Sequence, residues 1–311
     1  MRHGKIKRSV LFFSVSAFCF LLNLGTFAAD EIANPGGPET SPGGDGQRTA
    51  VLKVMTINLR HNLDFWEERF PLIADEIVRL KPDLIGLQEM EIEIEQSKSL
   101  LKLIAERSGP DGIKYQKYEH LKTGKDMFWG EGITIFSRYP IERKEYEDLQ
   151  NGRVVLFARI AAADGLTVDL YNTHLHHQGG DEVTLPQARK IADLEKKNDA
   201  GFVAFLTGDM NSSEDSETIK YYVENSFVDT YRAVHGDETP IVGNTSPVVL
   251  STDNAPQDFR GRIDFIFLKT PPGWESRVRI LDSEVCFKNS DARGLYPSDH
   301  LGVMTTVEIK Y

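Results

Sequence analysis

Apolar runs with strand-like patterning and amphipathic helical patterns fill most of the chain after residue 50. Val51–Leu59 predicts a buried strand, and apolar residues from Trp66 to Leu80 recur at helical spacing until Lys81-Pro82 ends that helix. Further strands are predicted at 83–87, 132–137, 153–161, 166–172, 202–207, 263–268, 278–285 and 302–309, and further helices at 96–107, 185–197 and 216–225. The middle strands follow one another without helices, which favours mixed or packed sheets over a doubly wound parallel sheet.

The first 50 residues differ from the rest. Basic residues at positions 2, 5, 7 and 8 precede the apolar run Val10–Leu22, and small residues follow, which predicts a secretory signal peptide (1–28) cleaved after Ala28. The alternative is an uncleaved anchor, although the apolar run is short for a span of about 20 residues. Residues 29–49, rich in Pro, Gly and Ser, predict a flexible linker, and 50–311 a single domain. We expect a secreted or periplasmic monomer without stable membrane insertion after cleavage.

Composition and charge narrow the possible partners. With 311 residues, 40% hydrophobic and 27% charged, the chain is globular rather than disordered as a whole. Loss of the signal would lower the net charge from −11 to about −15 and leave Cys286 as the only cysteine, expected to be a buried thiol. So acidic a chain is a poor candidate for duplex DNA binding without sequence preference, which depends on Lys and Arg, unless it holds a local basic groove.

Five short polar motifs lie within or after these apolar runs. They are Gly86-Leu87-Gln88-Glu89, Asn172-Thr173-His174-Leu175, Gly208-Asp209-Met210-Asn211, Arg262-Ile263-Asp264-Phe265 and Ser298-Asp299-His300. A strand that ends in a carboxylate, amide or imidazole directs that group to one rim of a sheet. Each motif alone has an ordinary structural interpretation, such as a solvated loop, a self-capping turn or a helix N-cap. Five of them in one chain indicate a shared site.

The carboxylates and amides among these motifs suit a hydrolytic metal centre. Hard cations such as Mg²⁺ prefer oxygen ligands, and Glu89 and Asp299 are the best-placed carboxylates. Asp209 and Asn211 stand two positions apart, so in an extended segment they would project to the same side. Such a pair could deprotonate a water molecule and hold it in line with phosphorus.

The acid and the imidazoles in the later motifs predict acid–base and charge-stabilising roles. Asp264 interrupts an apolar run, where a charge needs a partner, and His300 is the obvious one. A carboxylate that holds an imidazole keeps it protonated and ready to stabilise a phosphoryl oxygen. His174 is a second imidazole, predicted on the leaving-group side.

Two other kinds of active site use similar residues. A zinc site would need a histidine cluster, and His174, His176 and His177 offer a near match. In a strand, however, His176 and His177 would point to opposite faces, so only part of the cluster could bind one ion. A serine hydrolase would need a Gly-x-Ser-x-Gly turn, and the sequence contains none.

In order and wording, the motifs resemble the endonuclease/exonuclease/phosphatase superfamily, whose fold is that of pancreatic-type deoxyribonuclease and abasic-site endonucleases. The resemblance spans about 50–310 and includes Met55–Leu59 and Asp83–Glu89 besides the later motifs. It implies a DNase-I-like α/β (α+β) fold, a four-layer sandwich of two packed mixed β-sheets flanked by helices. It also implies Mg²⁺ or Mn²⁺ as the cofactor.

The resemblance also implies a role for each matching residue. Asn58, Glu89 and Asp299 resemble the metal-site residues, Asp209 and Asn211 the water-activating pair, and Asp264 with His300 the phosphate-clamping dyad. His174 matches the leaving-group position, which is His in deoxyribonuclease-like and sphingomyelinase-like members and Tyr in abasic-site enzymes. That histidine, like the export signal, argues against abasic-site repair.

These observations predict a secreted metal-dependent phosphoesterase that hydrolyses a phosphodiester or phosphomonoester by in-line attack of an activated water. Arg138, Arg69 and Trp66 are the candidate substrate-binding residues, and Arg153 could also reach the substrate. The substrate could be a small molecule, a phospholipid head group or nucleic acid, so a nuclease and a sphingomyelinase-like enzyme stay open. A catalytically silent binding member is the remaining alternative, but silent members usually lose an acid or the final histidine, and here none is missing.

Overall fold

The computed structural model describes residues 40–42, 47–110, 112–122, 130–236, 243–250 and 261–311. The predicted signal peptide and most of the predicted linker lie outside these residues. Within the linker, β1 (Thr40–Pro42) pairs antiparallel with the first strand of the domain, Thr40 opposite Ala50. Those three residues of the predicted linker therefore form a short strand.

Two mixed β-sheets form the centre of the fold. The first has the order β12 (Val278–Cys286), β13 (Gly302–Lys310), β2 (Arg48–Asn58), β3 (Leu84–Glu91), β5 (Glu131–Ser137) and β4 (Gln116–Leu121), with β1 also on β2. The second has the order β10 (Val228–Asp229), β11 (Asp264–Lys269), β9 (Val203–Asp209), β8 (Leu166–His174), β7 (Arg153–Ala163) and β6 (Ile141–Gln150). Among the described strands, β2–β3 and β8–β9 are the parallel neighbours.

Four of the described helices cover the outer faces of the sheets, and a fifth, α5 (Thr230–His235), contacts β11 of one sheet and β12 of the other. The four are α1 (Trp66–Leu80), α2 (Gln96–Ser108), α3 (Asp181–Asn198) and α4 (Glu217–Glu224). Ile73 and Leu100 pack α1 and α2 onto the first sheet, and Ile191 and Ile219 pack α3 and α4 onto the second. A third apolar cluster, which includes Leu156, fills the space between the sheets. The predicted four-layer sandwich is confirmed.

The elements that the sequence did not reveal are β1, β4, β6, β10 and α5. In β6, which lies at a sheet edge, six of the ten residues are exposed and many are charged. This pattern blocks edge-to-edge association and hides the strand from a search for apolar runs. Helix α5 has only six residues. Among the described helices, none has the length and apolar character needed to cross a membrane.

The strand directions bring one end of both sheets into a single rim. The register pairs Asn58 with Gln88 in the first sheet, and Asp209 with both His174 and Asp264 in the second. Strands β2, β3, β4, β8 and β9 therefore end at this rim, where β5, β7, β11 and β13 begin. The same geometry explains why motifs far apart in sequence meet there.

Candidate active site

A cavity of about 490 Å³ opens at this rim between the two sheets. Its walls carry acidic, basic and imidazole side chains from both sheets. The residues are Arg60, His61, Leu63, Glu89, Lys122, Glu131, Asn151, Gly152, Arg153, His174, His176, His177, Gln178, Asp209, Asn211, Asp299 and His300. Residues from four of the five polar motifs line this cavity. The fifth motif lies beside it, because its Asp264 contacts the cavity residue His300.

The pair Asp264 and His300 joins the two sheets at the floor of the cavity. Nδ1 of His300 lies 2.9 Å from Oδ2 of Asp264, which also accepts a 2.6 Å hydrogen bond from Thr245 Oγ1. Burial would lower the pKa of His300, but the carboxylates of Asp264 and Asp209 raise it to about 10. The imidazole is therefore protonated at neutral pH. Its Nε2 lies 3.9 Å from Oδ2 of Asp209.

Asp209 lies at the centre of the polar groups. Its Oδ2 is 3.5 Å from His174 Nε2 and accepts a 3.1 Å hydrogen bond from Asn58 Nδ2. Burial raises the pKa of Asp209 to about 7, although the charge of His300 opposes that shift. A carboxylate with this pKa can exchange a proton near neutral pH.

Asn211 reaches the cavity by a turn, not by the extended segment that the sequence predicted. Strand β9 ends at Asp209, whose Oδ1 accepts a 2.9 Å hydrogen bond from the backbone N–H of Asn211. Asn211 has a φ of 45°, a left-handed conformation that Asn tolerates well. Its Nδ2 donates a 2.9 Å hydrogen bond to Leu175 O, which orients the amide. Asp209 and Asn211 therefore lie together because of this turn, and not because an extended segment projects them to the same side.

His174 is buried beside a carboxylate that the sequence reading missed. Its Nδ1 lies 4.0 Å from Oε1 of Glu131. Burial lowers the pKa of His174 well below its usual value, and Arg153 and Lys122 lower it further, so the imidazole is neutral. Glu131 begins β5, directly before the apolar run Gly132–Ser137, and only the antiparallel direction of β5 brings it to the site rim.

Of the residues predicted to hold a metal, Glu89 and Asp299 line the cavity, and Oδ1 of Asn58 accepts a 2.9 Å hydrogen bond from the backbone N–H of Arg60. Asn58 Nδ2 donates to Oε1 of Glu89 at 3.2 Å, and a bulge after Leu87, with Glu89 at φ 53°, turns this carboxylate toward the cavity. Asp299 lies on the same wall and forms a 2.9 Å ion pair with Arg60. Several carboxylates around one polar cavity fit a hard divalent cation, because a cation offsets their mutual repulsion.

Among the described residues, two groups of histidines and acids have ligand atoms within 4.8 Å of one another. One is His61, Glu89 and Glu131, and the other is Asp209, Asp264 and His300. His61 is a further site residue that the sequence reading missed. His174, His176 and His177 all line the cavity, but neither group contains them, so the histidine-only zinc cluster does not form.

A basic wall stands on the side of the cavity formed by β4 and β7. Lys122, which follows β4, forms a buried ion pair with Glu131. Arg153, the first residue of β7, lies in the cavity wall as predicted, and its Nη2 contacts Nδ1 of His177 at 3.2 Å. Lys122 had no sequence signal, since β4 itself was not predicted.

Three residues predicted to contact substrate do not line the cavity. Arg69 is fully buried and donates to five backbone carbonyls, so it holds the loop between β2 and α1. Trp66, the first residue of α1, is half-buried and packs edge-to-face on Phe70 of the core. Arg138 follows β5 at the opposite rim and pairs with Asp83 at 3.0 Å, because β5 runs antiparallel to β3.

A seam of buried polar side chains ties the two sheets directly beneath the cavity. Asn172 Oδ1 accepts from Gln88 Nε2 at 2.7 Å and from Thr207 Oγ1 at 3.2 Å. Its Nδ2 donates to the carbonyls of Leu87 and Thr134, each at 3.0 Å. All of these groups lie within two residues of Glu89, His174 or Asp209, or on the neighbouring strand β5. The seam therefore positions the strand ends that carry the site.

Comparison with known proteins identifies the family. A sequence profile of the Endonuclease/Exonuclease/phosphatase family matches residues 55–300. The protein belongs to this family. Members of the Endonuclease/Exonuclease/phosphatase family are divalent-metal-dependent hydrolases of phosphoric esters, so the predicted resemblance and the predicted phosphoesterase class are confirmed. The substrate and the metal are not given by membership.

Solved structures of other family members share the fold. A family protein from Bacteroides thetaiotaomicron is 21% identical with a TM-score of 0.65, over 84% of this chain and 98% of its own. A mannosyl-6-phosphatase from the same organism is 21% identical with a TM-score of 0.64, over 82% and 99%. The human Nocturnin catalytic domain is 19% identical with a TM-score of 0.63, over 83% and 93%. A search of curated proteins finds no significant match.

Proposed function

We propose that this protein is an exported, Mg²⁺- or Mn²⁺-dependent hydrolase of small phosphate esters. The observation that carries the proposal is the convergence of Glu89, Asp209 and Asp299 on one cavity that also holds a protonated His300 and a neutral His174. Acids to hold a cation, a base for water and donors for a phosphoryl oxygen are the parts that phosphate-ester hydrolysis needs.

Asn58, Glu89 and Asp299 would hold the metal ion. When bound, the metal neutralises charge on the phosphoryl group and polarises the bond to phosphorus. The protein's own residues do the rest. Asp209 accepts a proton from the attacking water, which the amide of Asn211 helps to orient.

The two imidazoles serve opposite sides of the phosphoryl group. His300, held protonated by Asp264, donates a hydrogen bond to a phosphoryl oxygen as negative charge accumulates there. His174 lies on the other side of Asp209 and faces the leaving oxygen, with Glu131 behind its ring. This assignment matches the roles that the sequence resemblance implies.

The size and charge of the site favour a small ester over a polymer as the substrate. The cavity holds about 490 Å³, the size of a site for a small ligand, and its cations lie inside it. The net charge of −11 is unfavourable for the long phosphate backbone of duplex DNA. One similar structure is a mannosyl-6-phosphatase, which makes sugar phosphates a reasonable first group to test.

Export is the second part of the proposal. Its support is the N-terminal pattern of basic residues, an apolar run and small residues before Ala28. Expression of the full chain in a Gram-negative host, followed by fractionation and N-terminal sequencing, tests it. We expect periplasmic protein that begins at Ala29, whereas an uncleaved chain in the cytoplasm would contradict export.

An activity panel tests the enzymatic proposal. Purified protein should be assayed with Mg²⁺, with Mn²⁺ and with EDTA against sugar phosphates, bis(p-nitrophenyl) phosphate, phosphoinositides, sphingomyelin, RNA and DNA. We expect metal-dependent turnover that is highest on a small ester and lost in Asp209→Asn, the control for contaminating phosphatases. The proposal fails if no ester is hydrolysed with either metal, or if Asp209→Asn is as active as the wild type.

A further inference from the structure

Arg153 differs from every other buried arginine in the described part of the chain. Three arginines are buried there, and two have their donors well satisfied: Arg69 by five backbone carbonyls, and Arg262 by Asp229 and Glu214. Arg153 is 7% exposed, makes one side-chain bond, to His177, and its buried Nη1 has no partner. No carboxylate of the described residues lies within ion-pair distance of it.

A buried guanidinium without a counter-ion is costly, because burial removes water and nothing replaces it. A fold that satisfies Arg69 and Arg262 does not retain Arg153 in this state for packing alone. The side chain lines the cavity, so an anion bound there could reach its unpartnered Nη1. The observation therefore points to a ligand group that supplies the missing charge.

The backbone of Arg153 lies away from that of Asp209, although the carboxylates of Asp209 and Glu89 act on its guanidinium and oppose the lowering of its pKa by burial. Arg153 begins β7, while Asp209 ends β9, and β8 lies between them, so the two backbones are two strand spacings apart, roughly 10 Å. Asp264 is one strand farther still. The nearest ammonium, that of Lys122, is already paired with Glu131. The unsatisfied positive charge of this wall therefore resides on Arg153.

We propose that Arg153, with His177 at the cavity mouth, binds a second anionic group of the substrate, distinct from the phosphate that is hydrolysed. This rests on the proposed function, and it narrows the substrate to small phosphate esters whose alcohol part carries a further phosphate or carboxylate. The anion accepts hydrogen bonds from the guanidinium, a charge-assisted pair that discriminates strongly against a neutral group.

Three sugar phosphates with the same phosphate at C1 provide the test. Glucose 1-phosphate, glucose 1,6-bisphosphate and glucuronic acid 1-phosphate differ at C6 by a hydroxyl, a phosphate and a carboxylate. Binding is measured by calorimetry in EDTA, and kcat/KM in the presence of Mg²⁺, for the wild type, Arg153→Met, Arg153→Lys and Arg138→Met. The two C6 anions show whether a phosphate or a carboxylate is preferred.

We expect the wild type to bind at least one C6 anion about tenfold or more tightly than glucose 1-phosphate, and Arg153→Met to remove that preference. Arg153→Lys should restore part of it. Arg138→Met, at the opposite rim, should keep the preference. It should lower the stability of the fold, because Asp83 loses its ion-pair partner. Because Arg153→Met removes an unpaired buried charge, its melting temperature should not fall below that of the wild type.

The inference is overturned if Arg153→Met weakens all three ligands equally, since Arg153 would then act on the reacting phosphate, or if it weakens none. A lower melting temperature with an unchanged preference would assign Arg153 to the fold alone. Loss of the proposed function looks different: no ester is turned over with metal, while the calorimetric preference for the C6 anion persists.

Discussion

The hydrogen bond between His300 and Asp264 connects the two sheets of the fold at the point where the cavity begins. Nδ1 of His300, two residues before β13 in the first sheet, lies 2.9 Å from Oδ2 of Asp264, the first residue of β11 in the second. Thr245 Oγ1 donates a hydrogen bond to the same oxygen from a third segment, whereas Oδ1 of Asp264 is buried without a hydrogen-bond partner. A change in how the sheets pack would break this bond, so the charge state of His300 depends on the tertiary fold.

Asp264 and His300 should therefore behave as one unit. We expect Asp264→Asn and His300→Gln each to lower turnover roughly 10² to 10⁴-fold, and the double variant to lose little more than either single one. Asp169→Asn, which breaks a buried pair with Arg159 away from the cavity, controls for loss of a buried carboxylate. Additive losses in the double variant would show that the two residues act separately.

Glu89 should control the dependence on metal. EDTA should abolish activity, and Glu89→Gln should lower it roughly 100-fold or more and raise the Mg²⁺ concentration needed for half-maximal rate, because a charged ligand is lost. Asp83→Asn is the matched control at the opposite end of β3, where Asp83 bonds Tyr139 and Lys53. It should lower stability but not the apparent metal affinity. Full activity of Glu89→Gln in EDTA would refute the metal mechanism.

The polar seam under the cavity should contribute to stability and to catalysis. Asn172→Leu leaves Gln88 and the carbonyls of Leu87 and Thr134 without their partner, at about 1–3 kcal/mol for each group that water cannot reach. The added change Gln88→Met should recover part of the free energy of unfolding in urea, but not activity, since Glu89 and His174 depend on this seam for their position. A loss below roughly 0.5 kcal/mol in Asn172→Leu would contradict the role.

The network around Glu214 should make the fold sensitive to acid. Burial would raise the pKa of Glu214, but hydrogen bonds from Arg262 and Arg232 lower it to about 2. A carboxylate with a lowered pKa in the folded state stabilises the fold above its unfolded pKa of about 4.3, and this stability is lost as the pH falls toward 2.

Unfolding free energies measured from pH 7 to pH 2 test this expectation. The difference between the wild type and Glu214→Gln should be largest above about pH 5 and should disappear near pH 2. Glu217→Gln, which breaks an exposed pair with Lys220, should change stability little at any pH. A difference that stays constant down to pH 2 would rule out linkage through Glu214.

Duplex DNA should be a poor substrate. Its binding requires many cations to displace condensed counterions, and the chain has a net charge of −11. At about 0.15 M salt, where charges are screened beyond roughly 8 Å, kcat/KM on a small ester should exceed that on plasmid DNA. Efficient plasmid degradation that falls steeply with added salt would instead favour the nuclease.

The sequence by itself determined the apolar runs, the preference for mixed or packed sheets and most of the residues that meet in the cavity, and its resemblance to a known family implied the four-layer architecture. Glu89, His174, Asp209 and Asp264 each lie at a strand end, and the period of a strand predicts which residues stand at its end. Such signals can be found without knowing which segments lie next to one another in the fold. The signal peptide predicted within residues 1–39 remains a prediction.

Only the tertiary structure decided which strand ends share a rim. Arg138 follows β5 and Glu89 lies near the end of β3, yet the antiparallel direction of β5 sends Arg138 to the far rim and brings Glu131 to the site. Strand direction within a sheet depends on pairing between segments distant in sequence, which spacing along the chain does not encode. Likewise, the solvation of Arg69 by backbone carbonyls and the isolation of Arg153 exist only once the surrounding segments have packed.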